Sequence, residues 1–222
     1  MLSRESMSNL QWVGESGVRG YLHSPAEPTG EAIVLSHGAG LNCQSPLLVA
    51  LAEAFSDAGI AALRIDLPFR QVRPYGPPTP AAATRDREGI AKALEFMRSR
   101  AKRLFAGGHS YGGRQTTMLL AERPELASGL LLLSYPLHPP KRPDQPRTAH
   151  FPTLRTPALF VHGRRDSLGS IEEMTVALKL IAAATRLLSV EGAGHELLSA
   201  KNKNDLPQKV VQGFKMMFPA IS

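Results

Sequence analysis

The sequence predicts an α/β fold, a mostly parallel sheet with helices on both faces. Three observations carry this. Short apolar runs alternate with segments of helical periodicity from residue 32 to the C-terminus. The runs, such as Ala32-Ile33-Val34-Leu35 and Leu130–Leu133, are apolar at every position, as strands covered on both faces require. Several end in glycine-containing turns, the places where loops leave the C-terminal edge of such a sheet.

In chain order, residues 18–23 alternate and predict an antiparallel edge strand. Ala32–Ser36 is the first buried strand and ends at His37-Gly38-Ala39-Gly40. Ser45 is placed as an N-cap before Pro46, and Leu47, Leu48, Leu51 and Phe55 form a helical stripe that stops at Gly59. A strand over 60–65 leads into Asp66-Leu67-Pro68-Phe69-Arg70. A Pro-rich loop follows, then a helix marked by Ile90, Leu94 and Met97. Residues 104–108 read as a strand, 112–123 as a helix and 130–133 as a strand. A second Pro- and Arg-rich loop covers 136–157. Strands at 158–161 and 187–190 flank a helix with Ile171, Met174, Leu178 and Ile181, and a last helix carries Val210, Val211, Phe214 and Met217. No composition break divides the 222 residues, so a single domain over 1–222 is expected.

The bulk properties narrow the function classes. The N-terminus lacks the roughly 7–15 residue apolar core of a secretory signal, and no apolar run approaches the ~20 residues of a membrane span. One cysteine, Cys43, excludes an intrachain disulfide. These features give a soluble, cytoplasmic protein as the expectation, with no membrane partner. The formal charge is +7, but the basic residues are scattered, and no nucleic-acid motif accompanies them. No nucleic-acid partner is expected, and a monomer or homodimer is. No His/Cys/Asp/Glu cluster has metal-ligand spacing, so neither metal nor cofactor is expected.

The chemistry is concentrated at Gly108-His109-Ser110-Tyr111-Gly112. This G-x-S-x-G pentapeptide lies directly after an apolar strand and before a helix, the setting that projects a serine from a sheet's C-terminal edge beside free amide donors. A serine hydroxyl needs a base within reach and an orienting carboxylate. Asp166 follows the strand 158–161 in a G-x-x-D turn, and His195 follows the last strand in Gly192-Ala193-Gly194-His195. Ser110, Asp166 and His195 are therefore the candidate nucleophile, acid and base. Asp66 competes as acid but follows an earlier strand and is expected to be structural. The amides of Ala39 and Tyr111 are the candidate oxyanion donors.

With these motifs the chain resembles the α/β-hydrolase superfamily over nearly its whole length, and is most similar to small, lidless members near the dienelactone-hydrolase-like branch. Gly108–Arg114, Asp66–Arg70 and Ser134-Tyr135-Pro136-Leu137-His138-Pro139-Pro140 are similar to a bacterial hydrolase-like group with eukaryotic relatives, among them a subunit of a histone-acetyltransferase complex. The resemblance implies an α/β-hydrolase fold without a cap domain and a Ser-His-Asp triad. Dienelactone hydrolases proper use cysteine where this elbow has Ser110. The expectation is a serine hydrolase cleaving a carboxylic ester or thioester of a small substrate through an acyl-enzyme. A non-catalytic interaction protein on the same scaffold, or an acyltransferase, are the alternatives.

Secondary site candidates follow from position. Arg70 and Arg114 lie near the active edge and could bind an anionic substrate group. The competing reading is a structural ion pair of one of them with Asp66. Tyr135 and His138 follow a strand and could border the pocket. The loop 136–157 is too short for a helical cap, so an open site shaped by it and by 71–80 is expected.

Overall fold

The computed structural model describes residues 9–220; the N-terminal residues read above for a targeting signal lie outside the described residues except at their end. The sheet has eight strands: β1 (Asn9–Glu15), β2 (Val18–Ser24), β3 (Glu31–Ser36), β4 (Ala61–Ile65), β5 (Arg103–His109), β6 (Leu130–Leu133), β7 (Ala158–Gly163) and β8 (Thr185–Val190). Their order is β1-β2-β4-β3-β5-β6-β7-β8. From β4 to β8 all neighbours are parallel, while β2 pairs antiparallel with both β1 and β4.

The edge differs from the reading at residues 18–23. That segment is antiparallel, as expected, but is the second strand, because β1 folds back onto it. Ser16 and Gly17 both have positive φ, 55° and 74°, and join Glu15 to Val18 in a two-residue turn of type I′. β1 escaped notice because only Val13 of its seven residues is buried, which leaves no alternation to read. β2 approaches β4 closely: a Cβ on Gly20 would lie 1.9 Å from the Arg64 carbonyl oxygen.

The helices are α1 (Pro46–Asp57), α2 (Pro68–Val72), α3 (Ala82–Arg98), α4 (Tyr111–Glu122), α5 (Ile171–Leu178) and α6 (Leu206–Met217). Ser45 caps α1 by accepting from the Leu48 N–H, and Ser170 with Glu173 forms a capping box on α5. Alternate strand residues feed two cores. Ile33 and Leu35 pack with Leu51 and Phe55 of α1 and Phe214 of α6. Ala32 and Val34 pack on the opposite face, with Ile90 and Leu94 of α3, Leu119 of α4 and Met174 of α5. The five-residue α2 is too short for periodicity to reveal. The stretch between β6 and β7 contains only a three-residue 3-10 turn at Phe151–Thr153, so no cap domain is present.

Two buried histidines tie charged groups into this frame. His23 Nε2 accepts from the Nε of Arg64, which is buried in mid-strand and also donates to the Cys43 carbonyl. His37 donates from Nδ1 to the Gly38 carbonyl at 2.8 Å and accepts at Nε2 from the Leu67 N–H at 3.1 Å. Burial, with the Arg64 charge in the first case, pushes both imidazoles down to about 4.

Above pH ~6.5 both histidines are neutral whether folded or unfolded; below it the unfolded chain takes up protons that the folded one refuses. Stability is therefore expected to fall between pH ~6.5 and ~4, by about 1.4 kcal/mol per pH unit for each histidine at the steepest. Urea unfolding at pH 7.5, 6 and 5 measures this. His23→Gln, which keeps an acceptor for Arg64, should flatten the slope; an unchanged slope would show that His23 does not contribute.

Candidate active site

The sheet's C-terminal rim brings together residues far apart in sequence. β5 ends at His109, and α4 begins at Tyr111, leaving Ser110 alone to turn the chain. Its backbone is left-handed, φ 50° and ψ −114°. Three neighbouring glycines let the surrounding segments close in. A Cβ on Gly108 would lie 2.2 Å from Ser36 Oγ, one on Gly112 2.6 Å from the His37 carbonyl oxygen, and one on Gly113 2.6 Å from that of Gly108. The Ser110 N–H donates to the Leu133 carbonyl at 2.9 Å, fixing the turn to β6.

Ser110 Oγ donates to His195 Nε2 at 2.8 Å, and His195 Nδ1 donates to Asp166 Oδ2 at 2.8 Å. The three residues singled out in the sequence thus form one hydrogen-bonded chain. The Asp166 side chain is fully enclosed and that of His195 is 23% exposed. Burial pushes the Asp166 carboxyl up, but the hydrogen bond and charge of His195 and the Leu168 N–H outweigh it and hold it below the usual carboxylate range. Asp166 is therefore an anion that accepts from His195 and fixes the tautomer leaving Nε2 free for the hydroxyl.

The turns that carry Asp166 and His195 are laced together. Arg165 N–H donates to the Ala193 carbonyl and Arg164 N–H to that of Val190. Gly163 lies against the same loop, where a Cβ would come within 2.5 Å of the Ala193 and Gly194 oxygens. His162 Nε2 donates to the Gly169 carbonyl at 2.7 Å and stands 3.6 Å from Asp166 Oδ2. His109, buried beneath the elbow, donates from Nε2 to the His195 carbonyl at 2.9 Å. Burial lowers the pKa of both.

Ala39 and Tyr111 line one cavity with Ser110, of about 590 Å³. Neither of their amides donates to a backbone carbonyl. Pro77–Pro80 and Pro136 also border this cavity, so both Pro-rich loops reach it. Tyr111 Oη donates to Asp86 Oδ2 at 2.7 Å, and the Phe69 N–H donates to Asp86 Oδ1 at 3.0 Å. Asp86 was not singled out in the sequence, although it stands four residues before Ile90 on the apolar stripe of α3, where a carboxylate needs partners.

Several secondary candidates are corrected. Arg70 does not offer its fork to a ligand. Its side chain donates to the carbonyls of Leu41, Arg73, Ala39 and Gly76 at 2.7–3.0 Å, and the residue is 5% exposed. Nor does Arg70 or Arg114 pair with Asp66. That role falls to Arg19 at 3.4 Å, while Asp66 Oδ1 accepts from the Cys43 N–H. Tyr135 is fully buried, its hydroxyl donating to the Arg147 carbonyl. His138 is 6% exposed and lines a different cavity with Leu137, Pro143 and Val176. Arg114 does line the Ser110 cavity, and so does Arg147, which sequence reading missed because its loop has no periodicity. Among the described residues no group of three His, Cys, Asp or Glu is arranged to hold a metal, and no helix is long and apolar enough to cross a membrane.

A family model described as an alpha/beta hydrolase domain matches residues 29–217. The chain belongs to the α/β-hydrolase family. Solved structures repeat the fold of this α/β hydrolase along its whole length. Dienelactone hydrolase from Anabaena variabilis superposes with a TM-score of 0.73 at 22% identity, covering 96% of this chain and 97% of its own. TT1662 from Thermus thermophilus gives 0.73 at 21%, covering 97% and 100%. Est1E from Butyrivibrio proteoclasticus gives 0.72 at 16%, covering 95% and 99%.

The carbonyls gathered by Arg70 include that of Ala39, so this guanidinium clamps the turn opposite Ser110. Arg70→Met is expected to lower unfolding free energy by about 2–4 kcal/mol, because several buried acceptors lose a charged donor. Activity loss should be equal on neutral and anionic esters. A selective loss on anionic esters, measured as kcat/KM, would return Arg70 to the substrate.

Proposed function

We propose that this α/β hydrolase is a serine hydrolase that cleaves a carboxylic ester or thioester of a small substrate through an acyl-enzyme. The observation that supports it most directly is the unbroken chain Ser110 Oγ–His195 Nε2 and His195 Nδ1–Asp166 Oδ2, both links at 2.8 Å. Bonding distances of this kind are what proton transfer from a nucleophile requires. On the same fold, Est1E has been solved with ferulic acid bound, and LipS and LipT are described as lipolytic enzymes that extend the known lipase and esterase families.

In the acylation step Ser110 Oγ attacks the scissile carbonyl carbon as its proton passes to His195 Nε2. The resulting oxyanion accepts from the Ala39 and Tyr111 amides, and Asp166 stabilises the imidazolium. Collapse breaks the bond to the leaving alcohol or thiol, which takes the proton from His195. Water then attacks the acyl-enzyme, giving its proton to His195; collapse releases the acid, and the proton returns to Ser110. The chain's own residues suffice for each step.

A fluorophosphonate is expected to label wild-type protein and not Ser110→Ala. On a panel of short-chain esters and thioesters, Asp166→Asn should lower kcat by on the order of 10⁴-fold, because it presents the wrong tautomer of the imidazole to the hydroxyl. Equal labelling of wild type and Ser110→Ala, or turnover that survives in Ser110→Ala, overturns the proposal.

A further inference from the structure

The cavity over Ser110 is lined by two arginines, Arg114 and Arg147, and among the described residues neither has an ion-pair partner. Arg114 stands on α4 four residues beyond Ser110, one helical turn along the same face, and long helical side chains lean toward the N-terminus. Arg147 comes from the loop between β6 and β7. Its backbone is held at both ends: its N–H donates to the Leu137 carbonyl at 2.7 Å, and its carbonyl accepts from Tyr135 Oη at 2.6 Å. Both arginines line the same cavity as Ser110, Ala39 and Tyr111.

Three other arginines that are buried or half-buried, Arg64, Arg70 and Arg103, are by contrast satisfied. Arg64 donates to His23 and to the Cys43 carbonyl, Arg70 to four carbonyls, and Arg103 to Glu31 and the Pro219 carbonyl. Among the described residues, Arg114 and Arg147 have neither an ion-pair partner nor a side-chain hydrogen-bond acceptor. Arg114 Nε is buried with no partner at all. The two charges also sense each other: burial first, and then the Arg114 charge, lower the pKa of Arg147, and the same two causes hold His150 down to about 4. Two unpaired forks of like charge facing one cavity are unfavourable in the empty protein and favourable once a planar oxyanion lies between them.

We infer that Arg114 and Arg147 form an anion clamp, and that the ester cleaved at Ser110 carries a carboxylate a few bonds from its scissile carbonyl, as a half-ester of a short dicarboxylic acid does. This rests on the serine-hydrolase reading above and specifies its substrate class. It also moves anion recognition from Arg70, whose donors are occupied, to an arginine on a separate loop.

The test compares monomethyl glutarate with methyl pentanoate, its neutral counterpart of the same length. Wild type is expected to favour the charged ester by tenfold or more in kcat/KM. Arg114→Met and Arg147→Met should each cut that ratio at least tenfold, with Arg147→Lys retaining part of it. A wild-type ratio near one, or an unchanged ratio in the variants, overturns the clamp. Binding is read without turnover in Ser110→Ala: glutarate should raise its melting temperature, and the rise should vanish when Arg147→Met is added. Circular dichroism checks that the variants fold, with Arg114→Gln and Arg147→Gln in reserve, and absence of any glutarate shift in folded Ser110→Ala counts against the clamp. Fluorophosphonate labelling reports on Ser110 alone. A labelled enzyme with no charge preference and no glutarate shift loses the clamp and keeps the hydrolase reading, whereas glutarate binding without labelling does the reverse.

Discussion

The active rim depends on one residue held in an unfavourable backbone conformation. Ser110 carries a Cβ at φ 50°, ψ −114°, a region that costs an L-residue on the order of 1–3 kcal/mol. Surrounding contacts over-determine it. β6 accepts its N–H, α4 begins at the next residue with the Arg114 N–H on the Ser110 carbonyl, and β3 packs against glycines where any side chain would collide. A strand must end and a helix begin within one residue, and this geometry directs the Ser110 hydroxyl to His195. The glycines are needed beside the serine because the crowding is there.

Three buried imidazoles serve the loops around this turn in the same way. His37 donates to the Gly38 carbonyl in the turn that carries Ala39, His109 to the carbonyl of His195, and His162 to the Gly169 carbonyl just beyond Asp166. Each thus steadies one loop of the site. Burial lowers the pKa of all three, so each is a neutral ring with a single N–H, and its direction is set by the acceptor it meets. Arg70 adds a charged version of the same device, gathering four carbonyls from the turn that carries Ala39 and from the chain around α2. Loops at a sheet edge lack the ladder that holds strands, and these side chains supply the missing donors.

Much of the frame was legible because burial leaves a pattern. Strands covered on both faces read as unbroken apolar runs, and α1 announced itself by cap, proline and stripe. Ser110, Asp166 and His195 were legible because each directly follows such a strand, and chain direction in a parallel sheet sends all those ends to one rim. What escaped had no such pattern. β1 buries one side chain, α2 is shorter than two turns, and Arg147 lies in a proline-rich loop whose path depends on what it packs against. Asp86 left a faint trace as a carboxylate on an apolar stripe, but its partners, Tyr111 and Phe69, belong to other elements.

The sequence by itself determined the order of elements, the parallel sheet and the set of side chains delivered to its C-terminal edge, because these follow from hydrophobic period and chain direction. The tertiary structure alone decided which polar groups were already occupied. Arg70, Arg114 and Arg147 are chemically equivalent in sequence. Folding encloses the first among carbonyls and leaves the other two lining the cavity, with no side-chain acceptor among the described residues. Hydrogen-bond satisfaction depends on distances between segments remote in the chain, and no local pattern encodes those distances.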